Sequence, residues 1–411
     1  MFPDLSYIFD YWFGIGPDNA LSVVKTFGLL LAISILVSAY FLNLELKRKA
    51  REGILKPVKT KVTTGLPASP GELISNALIG FLLGFKILYA IQNMQEFTQD
   101  AAGLILSSKG SLLGGIIGAA FLAGLKYWDK KKKQLPKPKV QEVNIYPHDR
   151  IGDITILAAI SGVVGAKIFA ILEDLPSFFA DPLGTFFSGS GMAIYGGLIV
   201  AFAVCYVYLK RNNIPPIHVM DAVAPALIIG YGIGRLGCHF SGDGDWGIIN
   251  ELPPPSWWVF PDWLWAYDYP RNVLNEGVLL ESCDPEKWQE LLSQPMSMEQ
   301  RCQEACGIRY CHQLSPSVFP TPIYETIMAF IIGGILWALR KRIVIPGLLF
   351  FIYLVFNGVE RTLIEEIRVN ERYELLGLQP SQAQIIGVSL VLIGIAGILI
   401  LIQRHRKQKA S

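Results

Sequence analysis

Nine apolar runs constrain this chain more than any other feature. They lie near residues 21–42, 72–92, 111–127, 153–172, 190–209, 219–237, 322–339, 344–357 and 383–402. Runs of this kind span a hydrocarbon core of about 30 Å as helices, because lipid offers no partner to the backbone N–H and C=O groups. With 17% charged residues against 52% hydrophobic, the chain is no ordinary soluble domain, in which about a quarter of residues carry charge. The sequence therefore predicts an all-α polytopic membrane protein. The run at 344–357 is short, and the sixth run is expected to be broken by Pro225 and several glycines.

Basic clusters set the orientation, since they stay on the cytoplasmic side. Lys47, Arg48, Lys49 and Arg51 follow the first run, and Lys130 to Lys133 follow the third. Lys210 and Arg211 follow the fifth, Arg340 to Arg342 the seventh, and Arg404, Arg406, Lys407 and Lys409 the ninth. Every odd-numbered run thus ends in positive charge, which predicts an outside N-terminus and a cytoplasmic C-terminus. The first residues lack the basic region and small-residue cleavage site of a secretory signal and are expected to be retained. They carry the interfacial aromatics Tyr7, Phe9, Tyr11, Trp12 and Phe13. No basic stretch resembles a nucleic-acid surface, and the net charge of +2 points to no nucleic-acid partner.

The chain also repeats itself. GFLLGFKILYAI from Gly80 is similar to GVVGAKIFAIL from Gly162, and LGGIIGAAFLAGLK from Leu113 to YGGLIVAFAVCYVYLK from Tyr195. The second and third runs therefore look like a duplicate of the hairpin made by the fourth and fifth, giving a seven-helix core plus an added hairpin. Five stretches follow: 1–59, the interfacial segment and first helix; 60–130, the added hairpin; 131–240, core helices ending in a charged motif; 241–320, an outer segment; and 321–411, the last core helices. Paired glycines such as Gly114 and Gly115 suit close helix packing in lipid. The outer segment holds Cys283, Cys302, Cys306 and Cys311, an even number that predicts two disulfides stapling a small domain in an oxidising compartment. A zinc site using these cysteines with His312 is the alternative, and the spacing alone does not give the pairing. Cys205, inside a span, reads as an inert core thiol.

Chemistry concentrates in Gly234 to Gly247, GRLGCHFSGDGDWG, directly after the sixth run. Charge at a membrane boundary is costly unless it serves a function. Arg235, Asp243 and Asp245 there are expected to meet Tyr324 and Glu325, which open the seventh run, and Arg361, Glu365 and Arg368, which follow the eighth. Tyr195 lies about one turn below the same outer boundary. Guanidinium forks suit a phosphate, and Glu365, four residues from Arg361, lies on the same helix face and can hold it. Such a site suits an anionic lipid headgroup; interfacial anchoring with solvated heads is the plainer use for the same arginines. Gly232, Gly234 and Gly237 also fit the dinucleotide pattern GxGxxG, but no parallel βαβ unit surrounds them.

These residues carry a resemblance to the prolipoprotein diacylglyceryl transferases. GRLGCHFSGDGDWG resembles the family's GR(I/L)GNF signature with its (I/L)NGE turn; MAIYGGLIVAF resembles its HGG(L/M) helix, PTPIYE its HPxQLYE segment, and RTLIEEIR its RFxxExxR. The likeness covers most of residues 20–42 and 150–405 outside the outer segment. It implies transfer of the diacylglyceryl group of phosphatidylglycerol to the lipobox cysteine of lipoprotein precursors carrying a signal peptide, in the bacterial cytoplasmic (inner) membrane, near the outer face and without cofactor or metal. Lipid and signal peptide would both enter sideways between helices. By the same resemblance Arg235, Arg361, Tyr195 and Glu365 form the catalytic set, to which the residues themselves add His239, and Arg235, Gly237, Asp243, Gly247, Gly196, Gly197, Tyr324 and Arg368 bind substrate. Departures fall on the proton acceptor: Tyr195 replaces the family histidine, Cys238, followed by His239, stands where the signature has asparagine, and Lys167 replaces an arginine. His239 is then a candidate base. A transporter of an anionic substrate is the rival reading from another class, and thiol redox chemistry at Cys238 a second.

Overall fold

The computed structural model describes residues 1–411 except 95–96, 98–103, 105–106, 108, 188–192, 371, 375–376, 378 and 411, and the side chains of residues 62, 183 and 410. The chain forms two compact units, Met1–Arg48 with Pro216–Ser411, and Lys49–Pro215. Helices occupy all nine apolar runs; residues 190–192 of the fifth run lie outside the described residues. Among those described, seven helices are long and apolar enough to cross a membrane. The other two runs form Leu112–Lys132 and the 17-residue Leu348–Ile364. The protein is thus an all-α polytopic membrane protein, decorated with short strands that the sequence reading did not anticipate.

In the second unit, strand β1 (Val58–Thr64) leads into α1 (Pro70–Gln92) and α2 (Leu112–Lys132). Strand β2 (Lys139–Ile145) returns antiparallel to β1, from Val58 opposite Ile145 to Thr64 opposite Lys139. The alternation in VKTKVTT is the strand signal missed among stronger helical ones. Helices α1 and α2 touch backbone to backbone: a Cβ on Gly84 would stand 2.1 Å from the Gly114 carbonyl oxygen, and one on Gly118 2.1 Å from that of Gly80. Helices α3 (Ile151–Glu173) and α4 (Ile194–Arg211) form the second hairpin, with Gly165 against Val200, Gly196 against the Phe169 ring and Gly197 against the Gly162 carbonyl. Small residues therefore close both hairpins where lipid supplies no hydrophobic drive.

The first unit is built from α5 (Leu5–Phe13), α6 (Thr26–Arg51, which runs past the unit boundary), α7 (Pro216–Ser241), α8 (Thr321–Leu339), α9 (Leu348–Ile364) and α10 (Gln382–Ala410). Helix α7 continues through Pro225 for 26 residues, correcting the expected break. Neighbouring helices support it: Ser38 donates to the Ala226 carbonyl at 3.1 Å, and Gly230 lies against the same serine. Ile228, Ala329, Ile332, Leu336 and Leu349 form its apolar core. At one end of this core the Asp221 carboxylate accepts the backbone N–H groups of Gly347 (2.7 Å) and Phe350 (3.1 Å), satisfying donors that open α9. Buried Glu45 binds Arg48 and, at 3.1 Å, Arg340.

Between α7 and α8, residues 242–320 fold into a segment with helices Pro285–Leu291 and Met298–Cys306. Its sulfur atoms stand at disulfide distance as Cys283–Cys306 and Cys302–Cys311. That pairing occupies the thiols a zinc site would need, although His312 Nδ1 lies 3.3 Å from Cys311 Sγ. Crosslinks closing loops of 23 and 9 residues each restrict the unfolded chain by about 3 kcal/mol. Replacing either pair with serine is expected to open this segment to protease at lower temperature than the membrane helices, and unchanged proteolysis would count against the crosslinks.

Candidate active site

The site begins at the last turns of α7. Tyr231 and Arg235 lie four residues apart, so they share one helix face. Past the helix end, Gly242 (φ 63°) and Gly244 (φ 96°) adopt left-handed conformations that only glycine takes cheaply. The chain thereby turns Asp245 back onto Arg235. Gly247 then donates its N–H to Phe319 (2.8 Å) and Ile248 donates to Ile367 (2.8 Å). Gly247 also bridges the backbone of Arg368, and a Cβ there would sit 2.5 Å from the Ile367 carbonyl oxygen. Thr321 Oγ1 donates to the Asp245 carbonyl at 2.8 Å. Three distant stretches of chain are thus laced together around one turn.

Glu325, one turn into α8 and 0% exposed, is the hub. Arg235 donates Nε to it at 2.6 Å and also pairs through Nη2. Tyr231 Oη donates at 3.0 Å, Arg361 Nη1 at 3.3 Å and Arg368 Nη1 at 3.5 Å. Asp245 bridges Arg235 and Arg368, the latter at 2.6 Å. Glu365 holds Arg361 Nη2 at 3.2 Å and accepts Asn370 Nδ2 at 2.5 Å. Three guanidinium groups therefore face three carboxylates. Burial opposes ionisation of Asp245, but Arg235 and Arg368 more than offset it and hold its carboxyl below the usual range. Burial, reinforced by the charge of Asp245, pushes the Asp243 carboxyl up.

The structure brings Arg235, Arg361, Glu365 and Arg368 together as the sequence predicts. Asp243 stands beside the cluster and accepts the Asp245 N–H at 3.4 Å. Asp245 takes the arginine-bridging position. Tyr324 Oη donates to the Leu264 carbonyl at 2.5 Å, tying α8 to the segment between α7 and α8. Gly237 packs against Phe27 and Leu30 of α6. Cys238 Sγ accepts from Arg235 at 3.4 Å. His239 lies in an aromatic cage, with Nδ1 3.2 Å from Tyr269 Oη and the rings of Phe240, Trp263 and Tyr267 around it. Tyr195, Gly196 and Gly197 belong to the second unit, where the two glycines serve the α3–α4 contact. The central role of Glu325 and the place of Tyr231 were not legible; for Tyr231 the available signal was its spacing from Arg235.

Membrane-length helices carrying a buried guanidinium–carboxylate centre define an integral membrane protein with a polar site at a helix-end junction. The sequence model for prolipoprotein diacylglyceryl transferase matches residues 130–400, and the chain belongs to that family. It is 24% identical to the phosphatidylglycerol–prolipoprotein diacylglyceryl transferase of Clostridium tetani over 72% of this chain and 94% of the relative. The enzyme of that name from Staphylococcus carnosus is 27% identical over 61% of this chain and 74% of its own length. The one from Streptococcus equi subsp. zooepidemicus is 25% identical over 73% and 91%. The family match begins beyond most of the α1–α2 hairpin.

Proposed function

We propose that this protein transfers the diacylglyceryl group of phosphatidylglycerol to the lipobox cysteine thiol of lipoprotein precursors, forming a thioether and releasing glycerol 1-phosphate. The observation that carries this reading is the convergence of Arg235, Arg361 and Arg368 on one buried centre. Arg368 Nε is buried there with no hydrogen-bond acceptor, a donor that a phosphate oxygen would satisfy. The arginines and carboxylates balance in formal charge, so a lipid phosphate binds by taking over guanidinium contacts now shared among Asp245, Glu325 and Glu365. As the glycerol C–O bond breaks, the leaving phosphate gains charge, and preorganised guanidinium groups stabilise that gain without reorganisation. Arg235 and Arg361 are the phosphate ligands in this reading, with Glu365, Asp243 and Gly247 shaping the site.

The basic clusters support an outside N-terminus and a cytoplasmic C-terminus, which puts the site near the outer face of the bacterial cytoplasmic membrane. The nucleophile must be a thiolate, so the reaction needs a proton acceptor. The test is direct: purified protein, phosphatidylglycerol and a lipobox peptide are expected to yield a peptide with the added diacylglyceryl mass. No product under conditions where a relative's enzyme works would overturn the proposal.

A further inference from the structure

Glu360 precedes Arg361 in α9 and takes no part in the site described above. It is 3% exposed, and neither carboxylate oxygen has a hydrogen-bond partner. The groups acting on it are Glu325 from α8, Tyr231 and Arg235 from α7, and Arg361 beside it. Helix α10, packed along α9 through Gly387 against Gly358, offers no titratable residue before Arg404. The Tyr231 hydroxyl stands within hydrogen-bonding reach of Glu360 but donates to Glu325, Arg235 pairs with Glu325 and Asp245, and Arg361 with Glu325 and Glu365. A buried acid whose one hydroxyl neighbour is committed to another carboxylate costs free energy, so packing gives no reason to keep one here.

We propose that Glu360 is the group that accepts the proton of the incoming cysteine thiol, an assignment that rests on the transferase reading above. Depth supports it. In phosphatidylglycerol the carbon under attack lies between the phosphate and the acyl chains, so the thiol must approach from the membrane side of the arginines that hold the phosphate. Glu360 lies on that side of Arg361 along α9, among residues that include Tyr231, one turn inward of Arg235 on α7. His239, the base expected from sequence, is instead caged by aromatic rings. The step balances as follows: the S–H proton passes to a Glu360 carboxylate oxygen, sulfur forms a bond to the glycerol carbon, and the C–O bond breaks with its electron pair leaving on the phosphate oxygen. The proton then passes from Glu360 to the departing phosphate or to water.

Glu360→Gln keeps shape and removes the acceptor. In the lipobox-peptide assay it is expected to lower kcat by about 10²–10⁴-fold, the usual contribution of a positioned base, with the KM for phosphatidylglycerol within about twofold. Its residual rate should climb with pH as the thiol ionises unaided, a slope a merely structural role would not create. Comparing Glu360→Ala with Glu360→His supplies a second reading if the glutamine variant folds poorly, because histidine returns an acceptor and should be at least about tenfold faster than alanine. Equal rates for that pair, or a wild-type kcat and pH profile in Glu360→Gln, overturn the assignment alone. An inactive wild type overturns the transferase reading and this assignment with it.

Discussion

Replacing Glu325 with alanine is expected to abolish detectable transfer and to destabilise the first unit more than any other single change in the cluster. Arg235, Arg361 and Arg368 all lean on this one carboxylate, which has no exposed surface. Its removal leaves Asp245 and Glu365 against the buried Arg235 and the half-buried Arg361 and Arg368, and Arg361 and Arg235 lose their shared anchor. Stripping one partner from a buried ion pair costs about 3–5 kcal/mol because the remaining charge is uncompensated. Loss of a single preorganised donor lowers turnover by about 10²–10³-fold, and here three donors lose their orientation together. Glu325→Gln keeps an acceptor for Tyr231 and Arg235 and should fold better than alanine while remaining severely slowed. Turnover with phosphatidylglycerol and the thermal midpoint in detergent measure the two effects. Activity within tenfold of wild type in Glu325→Ala would end the case for Glu325 as the hub.

Helix positions were legible because hydrophobic run length is a strong signal in a membrane chain: every run became a helix, and α7 proved continuous where Pro225 had suggested a break. The ribbon of Val58–Thr64 with Lys139–Ile145 was hard to read, since its strands are joined only after the whole α1–α2 hairpin and the alternation in VKTKVTT is short beside the long helical runs. Gly80, Gly84, Gly114 and Gly118 could be read as packing glycines, but which backbone each one meets depends on register, which a sequence does not print.

Within the site, charge at a membrane boundary exposed Arg235, Arg361, Glu365 and Arg368, because each is costly there without a purpose. The resemblance to the family's (I/L)NGE turn points to Asp243 rather than Asp245 as the substrate-binding aspartate. The structure shows why Asp245 bridges: left-handed Gly242 and Gly244 carry the chain around so that the later aspartate meets Arg235 and Arg368. Glu325 looked like one carboxylate among several, since nothing in PTPIYE says that three arginines from α7, α9 and the residues after α9 share it. Glu360 was overlooked because a glutamate next to an arginine at a helix end reads as an ordinary solvated pair, and only the fold reveals it as buried.

Arg235→Lys is expected to cost nearly as much transfer activity as Arg235→Ala, about 10²–10³-fold, even though the charge is kept. Arg235 uses Nε and Nη2 on Glu325 and Nη1 on Asp245. A lysine ammonium is a single point charge on a flexible stem and cannot span both carboxylates in one plane. Asp245 would then depend on Arg368 alone. The consequence for pH follows with a definite sign. In wild type the two arginines outweigh burial and keep Asp245 ionised well below the usual carboxylate range. With one arginine gone, burial is less opposed, the carboxyl takes up its proton at higher pH, and activity should begin to fall from a higher pH as the solution is acidified. A pH–rate series for wild type and Arg235→Lys reads both effects at once. A lysine variant within tenfold of wild type, with an unshifted acid limb, would show that positive charge at this position suffices and that the planar bridge between Asp245 and Glu325 does not govern catalysis.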